Sequence, residues 1–404
     1  MRGFLALAVV CTLAAGCTTA PPQSEPPSAT LLADVGGPIR LALTVVTSPS
    51  RSALRNQALV ETLVRRLGPQ THMLILAPPE MVVEPNPWPE RMTFVPISPE
   101  LRLTIWPQDP FVVLRDPGGS PRLLAARDYG RAQDREMAET VALQLGWPVE
   151  RSSLFFAGGN VLSDERHAFL GVALVQENVV DLGWSENEVL RRFEDELGVP
   201  VILVEQVVEH VDMVITPLGR GRVAVADAAA GAILAEQELE KNPDAVRVFE
   251  ESAERNFFGD PAVRTVTDNE GRVVGPPPVV GQIRRAIADS SEMAPKLDAI
   301  ARHLASRGYD VVRVPLLATH STPRRTASYP MLSYNNVLIE RADGRDHVFV
   351  AEYGLAALDR AGAGAWRTAG FEVHPIPGVT TSAMYRGSVR CTVKVLEREA
   401  LPVP

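Results

Sequence analysis

Short apolar runs alternate along the chain with stretches whose apolar residues recur every three or four positions. Runs at 41–47, 73–76 and 92–97 read as strands, and 57–67, between the first two, reads as a helix. The same rhythm returns with a helix over 134–145, strands within 161–172, a helix over 186–197, a strand over 201–204 and a pair over 213–217 and 222–226. A helix over 293–306 then precedes strands at 311–316, 337–340 and 348–351, and an apolar run at 389–396 closes the series. The alternation predicts an α/β fold of repeated strand and helix units, with no Ser/Gly linker or change of composition to divide it. Periodicity alone does not choose among a doubly wound sheet, a barrel and a propeller.

The N-terminus stands outside this rhythm. Met1-Arg2, the apolar run 4–10 and Leu13-Ala14-Ala15-Gly16-Cys17 form a charged start, a hydrophobic stretch and a small-residue cleavage site. The run is too short to span a bilayer, which takes ~20 residues. The segment resembles a bacterial lipobox, which implies that 1–16 are removed as a lipoprotein signal peptide and that Cys17 is lipidated. Residues 17–38, rich in Thr, Pro and Ser, read as a flexible tether, and 39–400 as one catalytic domain. The expected location is the cell envelope, on the membrane through the N-terminal lipid. Thr18 gives no sign of inner-membrane retention, so the outer membrane, facing the periplasm or the surface, is expected.

This leader changes the meaning of the three cysteines. Cys11 leaves with the signal and Cys17 carries lipid, so Cys391 is the one thiol of the folded part. A lone cysteine in an oxidising compartment is either a small buried hydrophobe or a reactive group. Charge adds less. The net charge of −9 and the lack of a basic patch exclude nucleic acid as a partner. An acidic surface suits a cationic substrate, and solubility explains it equally well. A phosphate loop, dinucleotide fingerprint, HExxH and paired CxxC are all missing.

Four polar clusters abut apolar runs: Trp106-Pro107-Gln108-Asp109, Gly158-Gly159-Asn160, His210-Val211-Asp212-Met213 and Gly387-Ser388-Val389-Arg390-Cys391. Together they suit one chemistry. A planar cation with paired N–H donors is best held by carboxylates, here Asp109 and Asp212. A thiolate from Cys391 can attack the carbon of such a cation, while His210 passes protons to the leaving group and from the incoming water. On a strand, the i, i+2 spacing of His210 and Asp212 would turn both to one face. Read singly, each cluster has a plainer account. His210 could be a structural histidine, Asp109 before Pro110 a turn cap, and the Gly158-Gly159 pair a backbone device that gives positive φ or close approach.

The ordered set resembles the guanidine-modifying (pentein) superfamily of arginine, agmatine and peptidylarginine deiminases over about residues 100–395. The resemblance implies an α/β fold of five blades around a pseudo-fivefold axis. It gives Cys391 the role of nucleophile, His210 of acid/base, and Asp109 and Asp212 of guanidinium clamps. WPQD looks most like the peptidylarginine deiminases, which implies that Trp106 packs on substrate methylenes and Gln108 helps to hold a peptide. Asn160 of the GGN motif joins the expected substrate contacts. The segment Ser333-Tyr334-Asn335-Asn336 resembles the strand that brings an asparagine, here Asn336, to the site. Arg127 and Arg131 lie where such enzymes keep arginines for the peptide backbone or carboxylate, and a solvated face accounts for them as well.

Departures from the pattern bear on substrate. Free-arginine and agmatine deiminases usually carry an acidic residue before the glycine pair, where this chain has Ala157. Pro110 and the Arg324-Arg325 stretch have no counterpart. The expected reaction is hydrolysis of a peptidyl-arginine guanidinium to citrulline and ammonia through a covalent thiouronium, with no cofactor. Calcium serves some relatives, but no binding region is visible in this sequence. Three alternatives stand: an agmatine or free-arginine deiminase, an amidinotransferase, and a lipid-anchored guanidine-binding protein without turnover.

Overall fold

Why the strands form is plain from their burial: the runs at 41–47 and 73–76 are almost wholly apolar, and both faces are covered, as parallel strands require. A computed structural model describes residues 29–47, 56–128, 131–258, 266–267, 273–274, 281–320 and 330–399. The chain opens with β1 (Thr30–Leu31), β2 (Ile39–Val45), α1 (Gln57–Arg66), β3 (His72–Ala77) and β4 (Met92–Pro96). Next come β5 (Phe111–Arg115), β6 (Pro121–Ala125), α2 (Glu136–Leu145) and β7 (Val149–Arg151). The third stretch holds β8 (Val161–Ser163), β9 (Ala168–Gly171), α3 (Val172–Leu182), α4 (Glu186–Leu197) and β10 (Val201–Val204).

The fourth is the longest: β11 (Ile215–Gly219), β12 (Arg222–Asp227), α5 (Ala228–Lys241), α6 (Pro243–Phe258), a ribbon of β13 (Val266–Thr267) and β14 (Val273–Val274), α7 (Gln282–Ser306), β15 (Asp310–Ala318) and β16 (Met331–Ser333). Last come β17 (Leu338–Ala342), β18 (Arg345–Glu352), α8 (Ala356–Thr368), β19 (Glu372–Pro377), α9 (Thr380–Met384) and β20 (Lys394–Arg398).

One unit recurs: an antiparallel pair, a helical crossover, and a strand returning parallel to the pair's second member. It is made by β5-β6-β7, β8-β9-β10, β11-β12-β15 and β17-β18-β19. A further unit joins the two ends of the chain, with β20 antiparallel to β2 and β2 parallel to β3. Five mixed sheets of three or four strands result, beside the small ribbon. The segment just before the first strand of each unit is 106–109, 158–160, 211–213, 335–336 or 390–392. Every candidate catalytic motif therefore enters the fold at an equivalent place.

Three expectations need correction. Residues 29–38 are no tether, because Leu31 and Thr30 pair with β5 and Val35 is buried; the apolar residues between the prolines and Ile39 find a sheet edge to cover. His210–Asp212 is not a strand: His210 is extended and caps a 3-10 turn, Val211–Met213. The run at 389–396 begins as a 3-10 turn, Arg390–Thr392, and becomes strand only at Lys394. The signal peptide, Cys11, Cys17 and the Arg324-Arg325 stretch lie outside the described residues.

Candidate active site

Three of the five entry segments are 3-10 turns, Gly158–Asn160, Val211–Met213 and Arg390–Thr392, and the site is built where they meet. Asn160 ties the first two together: Oδ1 accepts from the Val211 N–H at 2.9 Å and Nδ2 donates to the Glu209 carbonyl at 3.2 Å. Both ends of its amide are thus engaged by main chain, which makes it a positioning group. The two glycines serve close approach, since neither has positive φ. A Cβ on Gly158 would stand 2.0 Å from the Gln108 carbonyl, and one on Gly159 2.4 Å from His210 Nδ1. Gly159→Ala should therefore push the imidazole from its seat; a displacement near 1 Å costs on the order of 100-fold in kcat/KM. Wild-type turnover in that variant would show that His210 is not the acid/base.

Cys391 is 5% exposed and lines a cavity of about 140 Å³ with Trp106, Asp109, Arg131, Glu209, His210, Tyr385, Arg386 and Gly387. Asn336 clasps it from behind. Its Oδ1 accepts from the Cys391 N–H at 3.1 Å, and its Nδ2 lies 3.2 Å from Sγ, a donor ready for a thiolate. Trp106 packs on Gly387, where a Cβ would meet the indole at 2.2 Å.

The carboxylates hold unequal positions. Asp212 is fully buried, with Oδ2 accepting from Arg390 Nη1 at 2.8 Å and lying 3.7 Å from Sγ. Its Oδ1 is buried with no hydrogen-bond partner among the described residues. A bare carboxylate oxygen beside the thiol is costly unless a donor arrives, and a guanidinium N–H is such a donor. Asp109 receives the Gly159 N–H at 3.2 Å on Oδ1, with His210 Nδ1 at 3.6 Å, and Arg131 Nη1 at 3.1 Å on Oδ2. The imidazole is within ion-pair range of Asp109 but beyond hydrogen-bond length. Asp109 thus stands beside His210, whereas Ala157 offers no carboxylate. The guanidinium of Arg131 occupies the Asp109 carboxylate.

Burial pushes the Cys391 thiol well above its ordinary range, and Asp212 and Asp109 push it further; a main-chain hydrogen bond at Ser388 and the charge of Arg390 act the other way. Without substrate the sulfur is a thiol at neutral pH. Burial likewise raises the Asp212 carboxyl, against the pull of Arg390 and His210. Alkylation by iodoacetamide reads this state directly, because only the thiolate reacts. We expect slow labelling at pH 7 that rises about tenfold per pH unit into the alkaline range. Fast labelling, flat from pH 6 to 9, would mean a preformed thiolate.

Two of the sequence-expected contacts are elsewhere. Arg127 lies over the Phe155 ring at 5.4 Å and donates to the Ser153 carbonyl at 3.4 Å, apart from the Cys391 cavity. Gln108 is buried behind the site and so is not placed to hold a peptide: Nε2 donates to the Gly158 carbonyl at 3.3 Å. With its amide turned, the oxygen accepts from Arg390 at 2.9 and 3.1 Å.

Sequence reasoning passed over Arg390, Asp34 and Lys394. Arg390 is buried and spans two acids, with Nε 2.9 Å from Asp34 Oδ1 and Nη1 on Asp212. Burial opposes its charge, but Asp34 and Asp212 outweigh that and hold it protonated. Burial, with Arg390 nearby, brings Lys394 down to about 7. The one available signal was a cation set between Val389 and Cys391 in an apolar segment.

No family profile matches the sequence, and no curated protein matches it. Solved structures do match in fold. Agmatine deiminase of Enterococcus faecalis is 14% identical with a TM-score of 0.58, covering 92% of this chain and 97% of its own. The C. jejuni agmatine deiminase is 10% identical with a TM-score of 0.55, covering 94% and 96%. A protein described as a candidate peptidyl-arginine deiminase is 12% identical with a TM-score of 0.55, covering 91% and 98%.

Proposed function

We propose that this chain, which has the α/β fold of the guanidine-modifying superfamily, hydrolyses a guanidinium group to a ureido group and ammonia. One observation carries the reading: Cys391 Sγ lies 3.7 Å from Asp212, whose other carboxylate oxygen is buried and unpaired. Asp109 and His210 line the same cavity as the thiol. The five mixed sheets, each entered by one site segment, read as five blades about a central site.

A guanidinium that pairs with Asp212 Oδ1 and displaces Arg131 from Asp109 brings its positive charge against the thiol. That charge offsets the burial and the two carboxylates that hold the thiol pKa up, so substrate binding promotes the thiolate, and the thiol proton passes to His210 in the same cavity. Asn336 Nδ2 then faces the anion as a donor. The thiolate bonds to the guanidinium carbon, and the C–N bond breaks as His210 gives a proton to the departing ammonia. A water then loses its proton to His210 and bonds to the same carbon, and the C–S bond breaks to return the thiolate. Amidino transfer would put an amine in the place of that water.

We take arginine within a peptide as the substrate. A second cavity of about 510 Å³ shares Glu209 and His210 with the first, giving room beyond a small guanidine. Agmatine is the alternative, favoured by the carboxylates of Asp128, Glu177, Asp181 and Glu209 that line this second space. The expected lipid at Cys17 would hold the activity at the cell envelope, facing extracytoplasmic peptides. Among the described residues no helix is long and apolar enough to cross a membrane.

The deciding experiment offers the mature protein a blocked arginine peptide, free arginine and agmatine in parallel, and measures ureido product. Product from the peptide alone supports the first reading and product from agmatine alone the second. Adding glycine or ornithine and finding amidino product instead would establish transfer. Binding of all three with no ammonia released would sink the hydrolase.

A further inference from the structure

We infer that His347, His374 and Glu372 form a binding site for a divalent transition-metal ion of the zinc type, on the sheet of β17, β18 and β19 and apart from the thiol. These three side chains offer ligand atoms that all lie within 4.8 Å of one another. His347 on β18 is in register with Glu372 on β19, and His374 follows two residues on, so the parallel pairing turns all three to one face.

The local geometry prepares each group for a metal. His347 Nε2 lies 3.2 Å from the Ala342 carbonyl, which can only accept, so that nitrogen carries the proton and Nδ1 keeps its lone pair. Nδ1 accepts from His374 Nε2 at 2.9 Å, so an ion entering between them takes the place of that proton, which His374 can carry on Nδ1 instead. Two nitrogens on an ion at ~2.0–2.1 Å in tetrahedral geometry stand a little over 3 Å apart, so an opening of under ~0.5 Å would admit it. The His374 ring is stacked on Phe349, with centroids 5.1 Å apart, which limits its swing.

Glu372 completes the set without losing its own support. Its Oε2 accepts from Arg345 Nη1 at 3.1 Å, while Oε1 lies 3.8 Å from His374 Nε2 and is turned to the shared space. Arg345 and the Ala342 carbonyl thus act as the outer partners that orient ligands in metal sites. Two imidazoles and a carboxylate leave one tetrahedral position for water. By joining β18 to β19, the ion would fix the edge of this sheet.

The test is zinc chloride titrated into untagged, chelator-treated protein of the full mature chain. Cys391→Ser serves as the parent, so that the catalytic thiol cannot ligate. The parent should bind one zinc per chain, with a higher melting temperature in its presence. His347→Ala and His374→Ala should each weaken binding by more than about 100-fold. Metal-free melting of each variant near that of the parent confirms the fold, and cobalt(II) should give the strong visible absorption of a tetrahedral ion in the parent only. No zinc bound by the parent, or binding that survives both histidine variants, would overturn the site.

Discussion

Cys391→Ser should lower turnover by at least about 10⁴-fold on whichever guanidine proves to be the substrate, with ligand binding retained. The surrounding contacts explain the separation of the two effects. In the proposed mechanism Asp212 and Asp109 would hold the cation, and neither depends on sulfur: Asp212 is fixed by Arg390 and Asp109 by the Gly159 N–H and Arg131. Serine keeps the Cys391 main-chain N–H that Asn336 Oδ1 accepts, so the turn should survive. A hydroxyl in that place cannot ionise, because the two carboxylates that raise the thiol would act on it too, starting from a far higher pKa. The measurement is ammonia and ureido product by single turnover, beside the dissociation constant by calorimetry. Equal product from wild type and variant would remove Cys391 from the mechanism. Loss of binding along with turnover would mean that the sulfur helps to hold the substrate.

The motifs were legible because each lies where the chain turns into the first strand of a unit, next to an apolar run that marks the strand. Asp109, Gly159, Asp212 and Cys391 could all be found this way, whereas Asn336 came only from the likeness of its segment to a family strand. The geometry of one was misread: His210 and Asp212 share the site because a 3-10 turn brings them there, not because alternate strand residues share a face. Helix α3 was hidden by composition: the strand reading ran to Val172, its first residue, and the β-branched Val172, Val175, Val179 and Val180 weaken its helical signal. Helix α5 and strands β6 and β19 carry weak periodic signals, whereas strand β5 has an apolar run and helices α6 and α8 an apolar stripe that the sequence reading passed over. The larger blind spot is long-range charge. Asp34 meets Arg390 across 356 positions, a pairing that no local pattern can reveal. The tether boundary was drawn past Asp34 for the same reason: its partners are a turn near the C-terminus and Ser163 in β8, not its neighbours in sequence.

Removing the cation from that charge chain gives the largest stability effect we expect: Arg390→Met should cost about 3–5 kcal/mol, as breaking a buried pair does. Asp212 has no exposed surface, and its Oδ1 already lacks a partner, so losing Arg390 strips the hydrogen bond from Oδ2 as well. The Val161 carbonyl loses a donor, and Asp34 keeps only the Ser163 N–H on its other oxygen. Methionine fills most of the volume, which leaves charge as the main loss. The sign of the pH dependence follows from Asp212. Burial raises its carboxyl, and Arg390 is the main force in the other direction, so the variant carries this group protonated at higher pH. A carboxyl whose folded pKa exceeds its unfolded value, near about 4, contributes stability below that value and loses it as pH rises through the folded one. The gap between wild type and variant in urea unfolding should therefore be wider at pH 8 than at pH 5. Binding should show the opposite pH dependence: a protonated Asp212 no longer pairs with a cation, so the variant should lose binding where this carboxyl is still protonated and regain it as pH rises. Arg390→Lys should recover part of the stability, since an ammonium restores charge but cannot span Asp34 and Asp212 as a guanidinium does. A methionine variant as stable as wild type at pH 8 would show that the buried pair does not support the fold.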